Sequence, residues 1–213
     1  NVAMDVARIL CKTHEELFET DIADYALEAL KQSKVKNVYL LGRRGPAQAA
    51  FTPQEIKEVG ALLDADIEVS PEEASPDAAS LRSIQANPDK NVERNVAAIA
   101  DYSARALAGK RRLLTFRFLV SPTEIMGPNG RVEAIRLMKN EGYQADDGSV
   151  RARATGVEEE LKVGLVFRSV GYRGVALPEV PFNESWGTIR NEHGRVQSVD
   201  GENLPGVYTA GWI

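Results

Sequence analysis

Val2, Val6, Ile9 and Leu10 recur at helical spacing with Asp5 and Arg8 between them, so the sequence opens inside an amphipathic helix. No Ser, Thr or Asp cap precedes this helix and no strand leads into it, so the expectation is a domain entered after its first strand and turn. A second helix is predicted from Asp21 to Gln32, with Thr20 as its cap and Ile22, Tyr25, Ala26, Ala29 and Leu30 as one apolar stripe. Val38-Tyr39-Leu40-Leu41 then forms a short apolar run between Asn37 and Gly42, the pattern of a strand buried on both faces of a parallel sheet. Thr52-Pro53-Gln54-Glu55 gives several agreeing helix-start signals, and that helix is predicted to run to about Leu63. Ile67 and Val69 read as a further strand and Asn91 to Ala108 as a further helix, while Pro71 to Pro88 between them is acidic and rich in Ala and Ser. Helix and strand alternate throughout, which is the grammar of an α/β fold.

From Arg112 the period becomes two. Leu114, Phe116 and Phe118 alternate with Thr115 and Arg117, and Val132 to Leu137 and Leu161 to Phe167 repeat the habit. Pro128-Asn129-Gly130 and Asp146-Asp147-Gly148 separate these runs as turns, so all three are predicted to form a small antiparallel meander. Beyond Gly171 the composition shifts to Pro, Gly and Asn and no further long helix is expected. This places a boundary near Tyr172, with one domain over residues 1–172 and a partial segment of another over 173–213. The last residues, Gly206 to Ile213, read as an apolar strand running into glycine.

Hydrophobic residues make up 43% of the 213 positions and charged residues 27%, within the range of a globular protein. No continuous apolar run reaches membrane-spanning length. A formal net charge of -5 argues against general nucleic-acid binding, which needs a surplus of Lys and Arg on one face. The single Cys11 and the two histidines, His14 and His193, give no metal-ligand spacing. A reducing, cytoplasmic compartment is expected, with Cys11 as a small buried hydrophobe.

Arg43 and Arg44, in the run Gly42-Arg43-Arg44-Gly45-Pro46, follow the carboxyl end of a buried strand, the edge at which open α/β sheets bind nucleotides. An acidic residue there would accept hydrogen bonds from a ribose 2'-hydroxyl and repel a 2'-phosphate. Two planar guanidinium groups do the opposite, so the pair predicts NADP over NAD. The plainer reading is two surface charges on a strand-to-helix loop. Glu55 likewise has two readings, as a nucleotide neighbour or as the reciprocal partner of Thr52 in a capping box. The cluster Lys110-Arg111-Arg112 with Arg117 is the densest basic patch, and a solvated turn and strand face is favoured there over a docking surface for an acidic partner.

Four segments together resemble the adrenodoxin-reductase type of ferredoxin-NADP reductase: Asn1 to Leu10, Thr20 to Asp24, Gly42 to Thr52, and Arg168 to Gly174. They span almost the whole chain. The resemblance implies a Rossmann-like NADP-binding domain, a parallel sheet with an antiparallel meander, followed by a partial return segment of a flavin-binding domain. It implies that Asn1 and Val2 finish a glycine-rich pyrophosphate turn, that Arg43 and Arg44 hold the 2'-phosphate, and that Glu55 approaches the nucleotide. It also implies that Gly211 and Trp212 end a strand beside the isoalloxazine of FAD; by itself Trp212 reads as a core aromatic. The implied activity passes hydride from NADPH to FAD and then single electrons to a ferredoxin-type iron-sulfur protein, with no acid, base or nucleophile required from the chain. A non-catalytic NADP-sensing module and a flavin subunit of the glutamate-synthase type are the alternatives, the second opposed by Gly42 to Pro46 followed by Ala49-Ala50-Phe51. None of the 213 residues forms a glycine fingerprint opening an amphipathic helix, so this segment alone is expected to hold no FAD and to be inactive.

Overall fold

The structure, a computed structural model, describes residues 2–211 and divides into two compact units, Asn1–Phe167 and Arg168–Ile213. The first unit is an α/β layer with an antiparallel sheet attached in sequence. Its elements are α1 (Val2–Cys11), α2 (His14–Phe18), α3 (Asp24–Lys31), β1 (Asn37–Leu41), α4 (Pro53–Gly60), β2 (Ala65–Val69), α5 (Pro71–Ala74), α6 (Ala78–Ala86) and α7 (Lys90–Ala104), followed by β3 (Arg112–Arg117), β4 (Val120–Met126), β5 (Ala134–Gln144) and β6 (Val150–Lys162).

The parallel sheet has the order β1-β3-β2, with Leu40 opposite Phe116 and Val69 opposite Phe116 on the other side. The antiparallel sheet has the order β4-β5-β6. Two expectations are corrected here. The stretch from Arg112 is not part of the meander but the central strand of the parallel sheet, and the meander is built from β4, β5 and β6. The alternation misled because β3 is covered on both sides with polar residues that are paired. Thr115 Oγ1 lies 3.1 Å from Glu68 Oε2, and the buried Arg112 donates through Nη1 to the carbonyl of Lys12 at 2.8 Å. Conversely, the apolar run of β1 lies at one side of the described sheet, and only Val38 in it is fully buried. The run from Leu161 also ends early, since β6 stops at Lys162 and Val163 to Phe167 form no strand.

The helices differ from expectation at their starts. A short helix, α2, was hidden between the first two predicted ones. Thr13 caps it, accepting from the Glu16 amide at 3.1 Å while Glu16 accepts from the Thr13 amide at 2.9 Å. Thr20 is not a cap for the next helix. Its hydroxyl donates to the Leu17 carbonyl at 2.6 Å, closing α2, and α3 begins only after Ala23, which supplies no side-chain cap. No residue of α3 is fully buried and Tyr25 is 83% exposed, so its apolar stripe does not face the core of this unit. The acidic stretch from Pro71 holds α5 and α6, capped by Ser70 and Asp77, and α7 starts behind Asp89. Both α4 and α7 are shorter than expected, ending at Gly60 and Ala104.

The main core joins α1 (Met4, Ala7, Cys11), α4 (Ile56, Val59) and α7 (Ile99, Tyr102) to the sheet residues Leu114 and Phe116, all of them buried. Phe116 packs edge-on against Phe51 with ring centroids 6.2 Å apart and is stacked at the same distance on Phe118. Cys11 is fully buried, and burial pushes its thiol up to about 11 despite the nearby Arg112 charge, so it serves as a packing residue. A smaller cluster under the meander contains Val120, Ile135 and Leu137.

The second unit is a series of short strands, β7 (Phe182–Asn183), β8 (Thr188–Ile189), β9 (Asn191–Glu192), β10 (Arg195–Gln197) and β11 (Asn203–Tyr208). β7 pairs with β8, and β11-β10-β9 form a three-stranded antiparallel sheet. Ile189 and Val196 are buried, whereas Val170, Tyr172, Val175, Trp186 and Tyr208 stand exposed.

Candidate functional site

β1 delivers the chain to Gly42 at the carboxyl end of the parallel sheet, and Arg43 and Arg44 follow in an exposed loop that closes into a single 3-10 turn, Pro46–Gln48. Among the described residues neither guanidinium makes an ion pair or hydrogen bond. Arg8 bridges Asp5 and Glu58, Arg105 pairs with Asp101, and Arg111 with Asp64, while Arg82 and Arg94 stand singly on their helices. The Arg43–Arg44 pair is therefore a local excess of positive charge with its donors unspent. Two adjacent cations without a counter-ion repel each other, so a ligand with two or more anionic oxygens gains most by lying between them.

The backbone of the loop, in contrast, is fastened on all sides. Gly42 N–H donates to the Arg117 carbonyl at 2.8 Å, and its carbonyl accepts from Val120 at 3.1 Å. Leu119 N–H donates to the Arg44 carbonyl at 3.2 Å, and Asn140 Nδ2 donates to the Arg43 carbonyl at 3.0 Å. Gln48 Nε2 lies 3.0 Å from the oxygen of the buried Ser80 on α6, and the buried Asn95 on α7 donates to the Phe51 carbonyl at 2.7 Å. Gly45 and Gly142 both approach the Asp77 carboxylate, where a Cβ on Gly142 would collide with Oδ2. This is a rigid frame carrying two free charges, the arrangement expected of an anion site that is pre-formed.

Glu55 is committed to both halves of a capping box. Its amide donates to Thr52 Oγ1 at 3.2 Å and its Oε2 accepts from the Thr52 amide at 2.6 Å. Burial pushes the Glu55 carboxyl up, but the lowering interactions, the hydrogen bonds with Thr52 among them, outweigh it and hold the group below the usual carboxylate range. Val2 starts α1 and is partly exposed. Gly211, in the second unit, is exposed with φ 91°, a backbone state that favours glycine. Asn1 and Trp212 lie outside the described residues.

The basic cluster is not the solvated turn and strand face expected of it, since Arg112 is buried and Arg117 is largely covered in ion pairs. Arg117 is held between Glu73 (2.9 Å) and Glu159 (2.6 Å), which tie α5, β3 and β6 together, and Glu73 also accepts from the Phe118 amide at 2.7 Å. Lys110 Nζ donates to the Leu62 carbonyl at 2.9 Å. Asp66 gathers the amides of Lys110, Ala108 and Gly109, which hold its carboxyl below the ordinary range.

Over all of its length the chain is 42% identical to the NADPH-ferredoxin reductase FprA of Mycobacterium leprae, and 34% and 37% identical to the mitochondrial NADPH:adrenodoxin oxidoreductases of Arabidopsis thaliana and Mus musculus. It is homologous to the ferredoxin and adrenodoxin reductases. The structure matches that of Mycobacterium tuberculosis FprA in complex with NADPH with a TM-score of 0.86 at 41% identity, over 98% of this chain and 44% of that one. The chain spans about 45% of the FprA relative and 43% of the mouse one. No protein-family model matches it.

The residues that sequence reasoning missed are those that support the loop from a distance. Asn140 is 97 positions from Arg43 and Ser80 is 32 from Gln48. No local pattern marks either.

Proposed function

We propose that this chain supplies the NADPH-binding part of a flavoprotein reductase that passes hydride from NADPH to FAD and then single electrons to a ferredoxin-type iron-sulfur protein. The observation that carries this reading is the pair of unpartnered guanidinium groups, Arg43 and Arg44, on a fastened loop at the carboxyl end of a parallel sheet. The homology supports it, since those relatives carry NADPH, ferredoxin and adrenodoxin in their names.

In this reading residues 1–172 form the NADP-binding domain and 173–213 a return segment of the FAD-binding domain. Arg43 and Arg44 receive the 2'-phosphate, whose doubly charged form suits two planar forks. Asn1 and Val2 hold the pyrophosphate at the start of α1, where helix N-terminal amides favour anions. Glu55 holds the start of α4 in place through Thr52 and faces the nucleotide from there. Gly211 and Trp212 flank the flavin. FAD, when bound, supplies the conversion of a two-electron hydride donor into a one-electron donor. The residues of this chain bind, select and orient the nucleotide and exchange no proton. The single buried Cys11 accords with a reducing compartment, the cytoplasm in our reading, although mitochondrial proteins stand among the relatives. Among the described residues no helix is long and apolar enough to cross a membrane.

Anaerobic stopped-flow absorbance of the flavin-loaded protein tests the proposal. NADPH should bleach the flavin band and the electrons should then reach an added ferredoxin, with NADH markedly slower. Flavin reduced equally fast by NADH and NADPH, or a protein expressed with its flanking sequence that carries no flavin, would overturn the reading.

A further inference from the structure

Arg43 and Arg44 gain nothing from their own side-chain contacts in holding position, so the geometry of the pair is set by what grips their carbonyls. One grip is a side chain from the meander. The β5–β6 pairing shifts register between Met138 and Asn140, the extra residues, 155–157, lying on β6 opposite Lys139. Beside this irregularity Asn140 turns its carboxamide toward the loop, and Nδ2 donates to the Arg43 carbonyl at 3.0 Å. The same nitrogen lies 2.8 Å from Ser121 Oγ, so both of its hydrogens are spent in orienting the group. The Asn140 backbone amide donates to the Leu119 carbonyl at 2.7 Å, and the Leu119 amide in turn donates to the Arg44 carbonyl at 3.2 Å. Leu119 has φ 56°, a left-handed backbone uncommon for a non-glycine residue and maintained by the contacts around it. One residue of the antiparallel sheet thus reaches both arginines, Arg43 directly and Arg44 through the Leu119 turn.

We propose that Asn140 is a positioning residue that sets the nucleotide selectivity of the Arg43–Arg44 site. The inference rests on the reading that this pair receives a 2'-phosphate. Two like charges side by side, with no acidic partner, push the loop apart. Asn140 opposes this by fixing the two carbonyls from which the side chains depart, one directly and one through Leu119. Without the Nδ2 hydrogen bond the arginines still attract anions, but no longer as a paired clamp. The loss falls on the 2'-phosphate and spares the rest of the nucleotide.

Calorimetric titration of the 213-residue chain with 2',5'-ADP and with 5'-AMP separates the two levels of the argument. The unsubstituted chain should prefer 2',5'-ADP, and Arg43→Ala with Arg44→Ala should abolish the preference. Asn140→Leu, which keeps size but removes the donor, should lower the preference roughly three- to tenfold, the worth of one hydrogen bond, with 5'-AMP affinity unchanged. Ser121→Ala, which frees the carboxamide to turn, should lower it less and in the same direction, and it decides the matter if Asn140→Leu does not fold. Equal losses for the two ligands in Asn140→Leu would reduce the residue to a structural support and overturn the inference. So would an intact preference in Asn140→Leu beside a lost one in the arginine variant. A preference that is absent from the unsubstituted chain, or that survives the arginine substitutions, overturns the reading of the site itself.

Discussion

Replacing both Arg43 and Arg44 with Ala in the flavin-loaded protein should lower kcat/KM for NADPH by at least roughly tenfold and leave kcat/KM for NADH unchanged. Hydrogen bonds to charged groups contribute about 1.5–3 kcal/mol each, and both are lost together. The loss should appear in KM, since the 2'-phosphate is remote from the transferred hydride and its binding is equally strong before and during the reaction. Neither side chain has a partner among the described residues, so removing them leaves no buried group unsatisfied and thermal stability should not fall. Discrimination between NADPH and NADH that survives the double substitution would remove the pair from the nucleotide site.

The second large effect is structural. Phe116 is fully buried in the central strand and contacts the rings of both Phe51 and Phe118. Phe116→Ala removes a fully buried ring packed on Phe51 and Phe118, leaving a cavity in the core. A loss of about 3–5 kcal/mol in urea denaturation is expected, a large part of the stability of an ordinary domain. Phe51 stands directly before Thr52, and its carbonyl is the acceptor for Asn95, so the same substitution should also loosen the end of the arginine loop. A loss below about 1 kcal/mol would show that the core is not organised around this ring.

The sequence was most legible where chemistry and local geometry coincide. Arg43 and Arg44 could be assigned to the end of a strand because glycines and an apolar run flank them, and the start of α4 was readable because Thr52, Pro53 and Glu55 each carry a separate helix-start signal. The architecture was less legible where burial and polarity part company. β3 lies at the centre of the parallel sheet yet reads as a half-exposed strand, because Thr115 and Arg112 are buried with partners and Arg117 is held between two glutamates. β1 reads as a fully buried strand yet lies at one side of the described sheet, so apolar content did not report position. α2 was missed since five residues are too few to show a helical period, although Thr13 and Glu16 mark its cap. Asn140, Ser80 and Asn95 act over long sequence separations, and only the folded chain brings them to the loop.

A crystal structure of the protein with NADP⁺ shows where the 2'-phosphate lies. The 2'-phosphate should lie between the guanidinium groups of Arg43 and Arg44, with the Asn140 hydrogen bond to the Arg43 carbonyl retained. A 2'-phosphate turned to solvent, or held by other cations while both arginines remain free, would contradict this placement.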